Sequence, residues 1–300
     1  MIMIRLMGGL GNQMFQYAFG RSLAIKHQTE LVLDDSFLKD KSNSHEVFTH
    51  RDFELDIFSN LNYRWATSKE VFAFNGNKNS GVLKRIFRKV LNQFNSKELI
   101  IQLNNEVANY VSISRNNSCY VGRWQSCKFF EDYLGEIRNE FVMNRPQING
   151  IDDLMTQING GESVCVHFRR GDLVTSPLYS ETIGSLDLDY YVHSISHINK
   201  SVNQPNYFVF SDDIEWCKQN LNLNEKAIFI EAALSGKKSE GHFYLMQHCK
   251  HFIISNSTFA WWAAYLSNAA ENKQVIYPKN WYKKAELQNP YMCPNNWIGN

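Results

Sequence analysis

No stretch of this 300-residue chain is long and apolar enough to cross a membrane. The opening Met1 to Leu6 is apolar but runs within a few residues into glycines, too short for a signal-peptide core. The expectation is a cytoplasmic protein, or one held only peripherally at the inner face of the plasma membrane. An excess of charge of one sign is also missing. Lysine and arginine total 31 against 30 acids, a net charge of +1, so no whole-surface attraction to nucleic acid is expected and any polyanion must be bound locally. The six cysteines (Cys119, Cys127, Cys165, Cys217, Cys249, Cys293) form no C-x-x-C pair, and most sit in apolar runs where cysteine behaves as a small hydrophobe. This suits a reducing compartment. There is no Gly-x-x-x-x-Gly-Lys-Ser/Thr, no Gly-x-Ser-x-Gly and no cysteine–histidine nucleophile arrangement, which removes the NTPase and hydrolase readings. Repeats and low-complexity segments are absent as well. What is present, 44% apolar and 14% aromatic residues with 20% charged, describes a folded α/β enzyme with one large core or two modest ones.

Ile2 to Leu6 reads as a short buried strand. Gly8-Gly9-Leu10-Gly11 follows, then a helical segment from about Asn12 to His27, the opening of a nucleotide-binding fold. Leu31 to Leu33 gives a second strand ending in Asp34-Asp35, and the stretch from there to about Phe74 lacks periodicity and reads as irregular. From Gly81 to Phe94, Leu83, Ile86, Phe87, Val90, Leu91 and Phe94 form one helical stripe, with Lys84, Arg85, Arg88 and Lys89 on the other side. This basic amphipathic helix, near 82–94, is either a surface helix packed on its own domain or a peripheral contact with an anionic membrane. Strand-like Cys119 to Gly122 leads into an aromatic segment and a helix to about Met143. Asn144 to Gly161 then carries a proline, an Asn-Gly pair and a Gly-Gly pair, which places a domain boundary there: residues 1–155 form one half and 156–300 the other. The last helix is a candidate to pack back on the first half. The second half alternates strands (Ser163 to Phe168, Tyr207 to Ser211, Ala227 to Ile230, Phe252 to Ser255, Gln274 to Tyr277) with helices, which implies a parallel sheet with ligands at the carboxyl ends of its strands.

One such strand, Val164 to Phe168, ends in His167, Arg169, Arg170 and Asp172. Adjacent arginines repel, so the pair makes sense if one meets a carboxylate such as Asp172 and the other an anion, since guanidinium matches phosphate bidentately. A strand-end salt bridge is the plainer reading. Ser255-Asn256-Ser257-Thr258 lies between a buried strand and an aromatic helix, so its hydroxyls and free N–H groups either bind a phosphate or simply cap the helix. Asp212 and Asp213 end another strand; one suits guanine, the other a helix cap. Gly9-Leu10-Gly11 imitates a dinucleotide fingerprint, with Asp34 or Asp35 at the distance of a ribose-binding acid, but Met14 stands where the third glycine belongs. His193 with His197, and His248 with His251, lack the further ligands of a zinc site, and Asp187-Leu188-Asp189 precedes a helix and reads as a cap rather than a metal-binding D-x-D. No metal site is expected.

Gly8 to Phe19, His167 to Asp172, Phe210 to Asp213 and Ser255 to Leu266, in this order and at these separations, resemble the bacterial α-1,2-fucosyltransferases of glycosyltransferase family 11, over nearly the whole chain. The resemblance implies a GT-B-like α/β fold, two Rossmann-like halves with a cleft between them, the acceptor on the N-terminal side. It implies a GDP-β-L-fucose donor, inversion to an α-linkage on O2 of a terminal galactose, and no metal or other cofactor. Carried over by position, Arg169 binds the β-phosphate and offsets charge as GDP leaves, supported by Arg170 and by Ser255, Asn256, Ser257 and Thr258. His167 and one of Asp212 or Asp213 contact guanine or ribose, Gly9 and Gly11 belong to the donor site, and Asn12 reaches the reacting sugar from the opposite half. A base for the acceptor hydroxyl is needed; Asp172 is the nominee unless it only holds an arginine, and Glu181 is the second candidate. His242 departs from the family pattern, where an acid often precedes Leu245-Met246, and Leu38 to Asn117 matches least, so the acceptor (lactose, a lipid-linked O-antigen repeat or another glycan) is the least legible property. Two competing classes stand beside this: a Rossmann-type oxidoreductase built on the N-terminal glycines, and a non-catalytic glycan-binding protein stacking sugars on Trp124, Trp261, Trp262 and Trp281.

Overall fold

A computed structural model describes residues 1–42, 50–75, 98–103, 110, 114–221, 223, 227–268 and 272–300. The basic helix expected near 82–94 lies outside these residues. The described chain falls into two compact units, which part between Val142 and Met143.

In the first unit, β1 (Ile2–Arg5) is followed by α1 (Leu10–Lys26), β2 (Leu31–Asp34), the one-turn α2 (Ser36–Lys39), β3 (Arg64–Trp65), α3 (Ser68–Asn75), β4 (Glu98–Ile101), β5 (Ser118–Val121) and α4 (Leu134–Glu140). The five strands form one parallel sheet in the order β3-β2-β1-β5-β4. β1 and β2 are apolar up to their last residues, as strands covered on both faces must be, and those last residues, Arg5 and Asp34, pair with each other. Phe19, Trp124, Tyr120 and Phe129 pack together beneath α1, with Phe19 stacked on Trp124 at 4.2 Å. The segment read as irregular contains β3 and α3. Both are short, and β3 exists as a strand only because β2 offers it a ladder: Val32 pairs Arg64 and Leu33 pairs Trp65.

The second unit holds α5 (Ile151–Asn159), β6 (Glu162–Phe168), α6 (Gly171–Thr175), α7 (Pro177–Thr182), α8 (Leu188–Ser201), β7 (Pro205–Ser211), α9 (Ile214–Asn220), β8 (Ile228–Phe229), α10 (Glu240–His248), β9 (His251–Ile253), α11 (Thr258–Leu266), β10 (Val275–Tyr277) and β11 (Ile298–Gly299). Its six strands are all parallel, in the order β11-β10-β9-β6-β7-β8. Val164, Val166, Val209 and Ile253 are fully buried in the core on which α8 and α9 pack. Helix α5 lies where only boundary punctuation was read; Ile151, Leu154 and Ile158 are its buried stripe, between Gly150 and Gly160. The last helix, α11, packs within its own unit: Trp261 Nε1 donates to Met292 O at 2.9 Å. The chain ends as the edge strand β11.

Candidate active site

From β6 the chain of the second unit runs outward through β7 and β8, then returns on the other side of β6 as β9. Connections leaving neighbouring parallel strands in opposite directions open a crevice at the carboxyl ends, the place where such sheets bind ligands. His167, near the end of β6, and Ser255, two residues beyond β9, meet across it: His167 Nδ1 lies 2.8 Å from Ser255 Oγ. Burial, then the charges of Arg169 and His242, pull the His167 pKa down to about 3. The ring is therefore neutral at neutral pH, and positive charge here comes from arginine.

Beyond His167 the two guanidiniums are held by three carboxylates. Arg169 Nη2 donates to both oxygens of Asp172, at 2.7 and 2.9 Å, and Arg169 Nε lies 3.4 Å from Asp212 Oδ2. The Arg170 N–H donates to Asp212 Oδ1 at 2.8 Å, and its Nε to Asp213 Oδ2 at 3.1 Å. Gly171 admits this turn, because a Cβ there would stand 2.7 Å from Asp212 Oδ2. Asp213 also caps α9 by accepting from Trp216 N, and the Arg170 guanidinium lies 3.6 Å over the Trp216 ring. Each acid thus orients an arginine. Arg169 Nη1 and both terminal nitrogens of Arg170 donate to no group among the described residues. These are the edges a doubly charged ligand would meet.

Helix α11 begins three residues after Ser255. Ser257 is its N-cap in extended conformation, yet its hydroxyl caps nothing. Ser257 Oγ and Asn256 Oδ1 are buried without a hydrogen-bond partner, while Asn256 Nδ2 donates to Gly184 O at 2.9 Å. Buried polar atoms normally find partners, and an unfilled helix N-terminus attracts anions. The simple-cap reading of Ser257 is therefore corrected. Asp187, expected as a cap, does occupy the N-cap position of α8, but its side chain makes no capping bond.

The glycine loop of the first unit is different. Gly8 has φ +75°, and Gln13 braces the loop by donating to Gly8 O and Asp52 O, both at 2.8 Å. Glu54 Oε2 accepts from Leu10 N at 2.5 Å, so the N-terminus of α1 already carries a carboxylate where a dinucleotide fold would seat a pyrophosphate. Gly9 faces Glu54 and Arg51, and Gly11 is buried inside α1. Asp34 is held by Arg5 at 2.8 Å and Asp35 by Lys39 at 2.8 Å. This geometry disfavours the oxidoreductase reading. Asn12 Oδ1 accepts from Gln125 Nε2 at 2.7 Å.

Trp124, Trp261, Trp262 and Trp281 are all buried, the first three completely, and cannot stack on a glycan. Glu181 is exposed on α7, and His242 is buried with Nε2 3.1 Å from Glu231 O. Among the described residues no group of three or more histidine, cysteine, aspartate or glutamate side chains is arranged to hold a metal ion. Sequence reasoning missed Trp216, Glu54 and Gln125. Trp216 was detectable, since it stands three residues after the capping Asp213; the other two act across 44 and 113 residues.

The sequence profile described as "Glycosyl transferase family 11" matches residues 1–300. The chain is 30% identical to the alpha-1,2-colitosyltransferase of Escherichia coli, over 99% of this chain and 98% of that protein. It is 32% identical to the O-antigen biosynthesis glycosyltransferase WbnK of Escherichia coli, over 98% of each. Across 48% of the chain and 41% of the relative it is 26% identical to galactoside 2-alpha-L-fucosyltransferase SEC1 of Bos taurus. The crystal structure of fucosyltransferase NodZ from Bradyrhizobium superposes with a TM-score of 0.50 at 17% identity, over 88% of this chain and 91% of that one, and shares its fold. Two parallel-sheet Rossmann-like halves and a family match from first residue to last lead to one conclusion: the chain belongs to glycosyl transferase family 11 and is a glycosyltransferase of GT-B fold.

Proposed function

We propose that this glycosyltransferase moves L-fucose from GDP-β-L-fucose to O2 of a terminal galactose with inversion, giving an α-1,2-linked fucoside in a lipopolysaccharide O-antigen. The observation that carries this reading is the convergence at the β6–β9 crevice. There the free edges of Arg169 and Arg170 and the N-terminus of α11, with its two unpartnered polar atoms, are drawn together by the His167–Ser255 bond. A diphosphate needs this kind of site, and guanidinium charge supplies the leaving-group stabilisation that a divalent metal supplies elsewhere. A NodZ crystal co-crystallised with GDP has the same fold. In this reading Arg169 meets the β-phosphate, and Asp172, with both oxygens on Arg169, holds that arginine rather than taking the acceptor's proton. Neutral His167 and one of Asp212 or Asp213 serve the nucleoside. Asn12 contacts the reacting sugar.

The full-length relative that transfers colitose supports a second donor. Colitose is fucose without the 3-hydroxyl. A site built to hydrogen-bond that hydroxyl would discriminate against colitose by about 10⁴-fold or more, whereas a site that ignores it would accept both. Calorimetric titration with GDP in EDTA, with UDP and NAD as controls, comes first. Selective GDP binding is expected, and preference for NAD or a need for metal would sink the reading. Transfer from GDP-fucose and GDP-colitose to a galactoside then ranks the donors. Arg169→Ala should abolish transfer while the circular dichroism spectrum stays unchanged.

A further inference from the structure

The first sheet has a switch point of its own. β1 runs on to β2 and β3 on one side, while β5 and β4 lie on the other, so the crevice opens between the carboxyl ends of β1 and β5. Two amides meet there. Asn12 follows β1 and Gln125 follows β5, and Gln125 Nε2 donates to Asn12 Oδ1 at 2.7 Å.

Everything around this bond restricts it. Asn12 Nδ2 fills the space above Gly8, where a Cβ would come within 2.5 Å of it, so any larger residue would displace the amide. The segment leading to Gln125 is clamped: Gln16 Nε2 donates to Gly122 O at 3.1 Å, and the N–H groups of Arg123 and Trp124 both donate to Gln102 Oε1, at 2.8 and 2.9 Å. Trp124 holds φ +52°, a left-handed conformation unfavourable for a bulky residue, and its fully buried ring makes that conformation affordable. The consequence falls on Asn12. With Oδ1 occupied as acceptor, Nδ2, which donates to no group among the described residues, is the amide atom left with hydrogen bonds to give.

We propose that Gln125 is a positioning residue for the transfer reaction: it locks the Asn12 amide so that Nδ2, not Oδ1, is offered to an oxygen of the reacting sugar. The proposal rests on the role given to Asn12 above. A bond that merely tied the β5 loop to α1 would stabilise the fold without caring which way Asn12 faces.

The test uses the full chain and GDP release from GDP-β-L-fucose with lactose as acceptor. Gln125→Met keeps the length and removes the donor; Gln125→Glu replaces the donor with an acceptor and should turn the Asn12 amide over. Both are expected to lower kcat by on the order of 10- to 100-fold, Glu more than Met, with KM for GDP-fucose within about twofold. In an Asn12→Ala background Gln125→Met should have no further effect on kcat. Unchanged kcat in Gln125→Met, or an equal loss with and without Asn12, would overturn the proposal. Undiminished kcat in Asn12→Ala would remove the role of Asn12 and the lock with it. Wild-type protein that binds GDP but transfers fucose neither to lactose nor to any other terminal galactoside would overturn the donor assignment and the role of both amides.

Discussion

A histidine kept neutral beside two arginines makes the fold sensitive to acid. The ordinary pKa of 6.5 is that of the unfolded chain, and in the folded protein His167 is pulled down to about 3. Between these values the unfolded chain takes a proton that the folded one refuses. The contribution of His167 is therefore complete above pH 6.5 and is lost progressively as pH falls from there towards 3. His242, lowered by its own burial, acts in the same direction. The urea midpoint is expected to fall from pH 7.5 to pH 5, and to fall less in His167→Gln; equal slopes in the two proteins would refute the account. Single residues of this kind were partly legible. His167, Arg169, Arg170 and Asp172 are polar groups leaving a buried strand, which asks for an explanation on sequence alone. Glu54 and Gln125 gave no such signal, because a glutamate or glutamine in a loop is ordinary until its distant partner is known.

At the scale of elements, α11 carries a separable prediction. The Ser257 hydroxyl is buried and unpartnered, and such a group costs about 1–3 kcal/mol in lost solvation. Ser257→Ala should therefore leave stability unchanged or slightly raised, while GDP affinity falls by about tenfold, roughly 1.4 kcal/mol. Calorimetry and thermal unfolding read the two effects apart. A destabilised variant with normal GDP binding would return Ser257 to the role of an ordinary cap. The long elements (α1, β6, β7, α8 and α11) were readable from hydrophobic periodicity. β3 and β11 are two residues each, too short to carry a period, and are strands because a neighbour supplies the hydrogen bonds; β8, equally short, falls inside the strand read over Ala227 to Ile230. Helix α5 had a readable stripe, obscured by the glycines that start and stop it.

At the scale of the whole molecule, the two units carry similar sheets with different loops, and GDP should tell them apart. Amide hydrogen exchange with and without GDP is expected to slow at 169–172 and at the start of α11, and to stay unchanged at the Gly8–Gly11 loop, where Glu54 already occupies the helix terminus. Protection of that loop by GDP, or by NAD, would instead revive a nucleotide site in the first unit. The sequence by itself determined the family, the parallel α/β class and the arginine turn, because periodicity and clustered motifs are local and survive without coordinates. Only the tertiary structure decided that Asp212 and Asp213 join Asp172 in holding the two arginines, that a glutamate closes the glycine loop, and that a glutamine donates to Asn12. Those are contacts between residues far apart in the chain, and no local pattern encodes a partner that only folding brings within 3 Å.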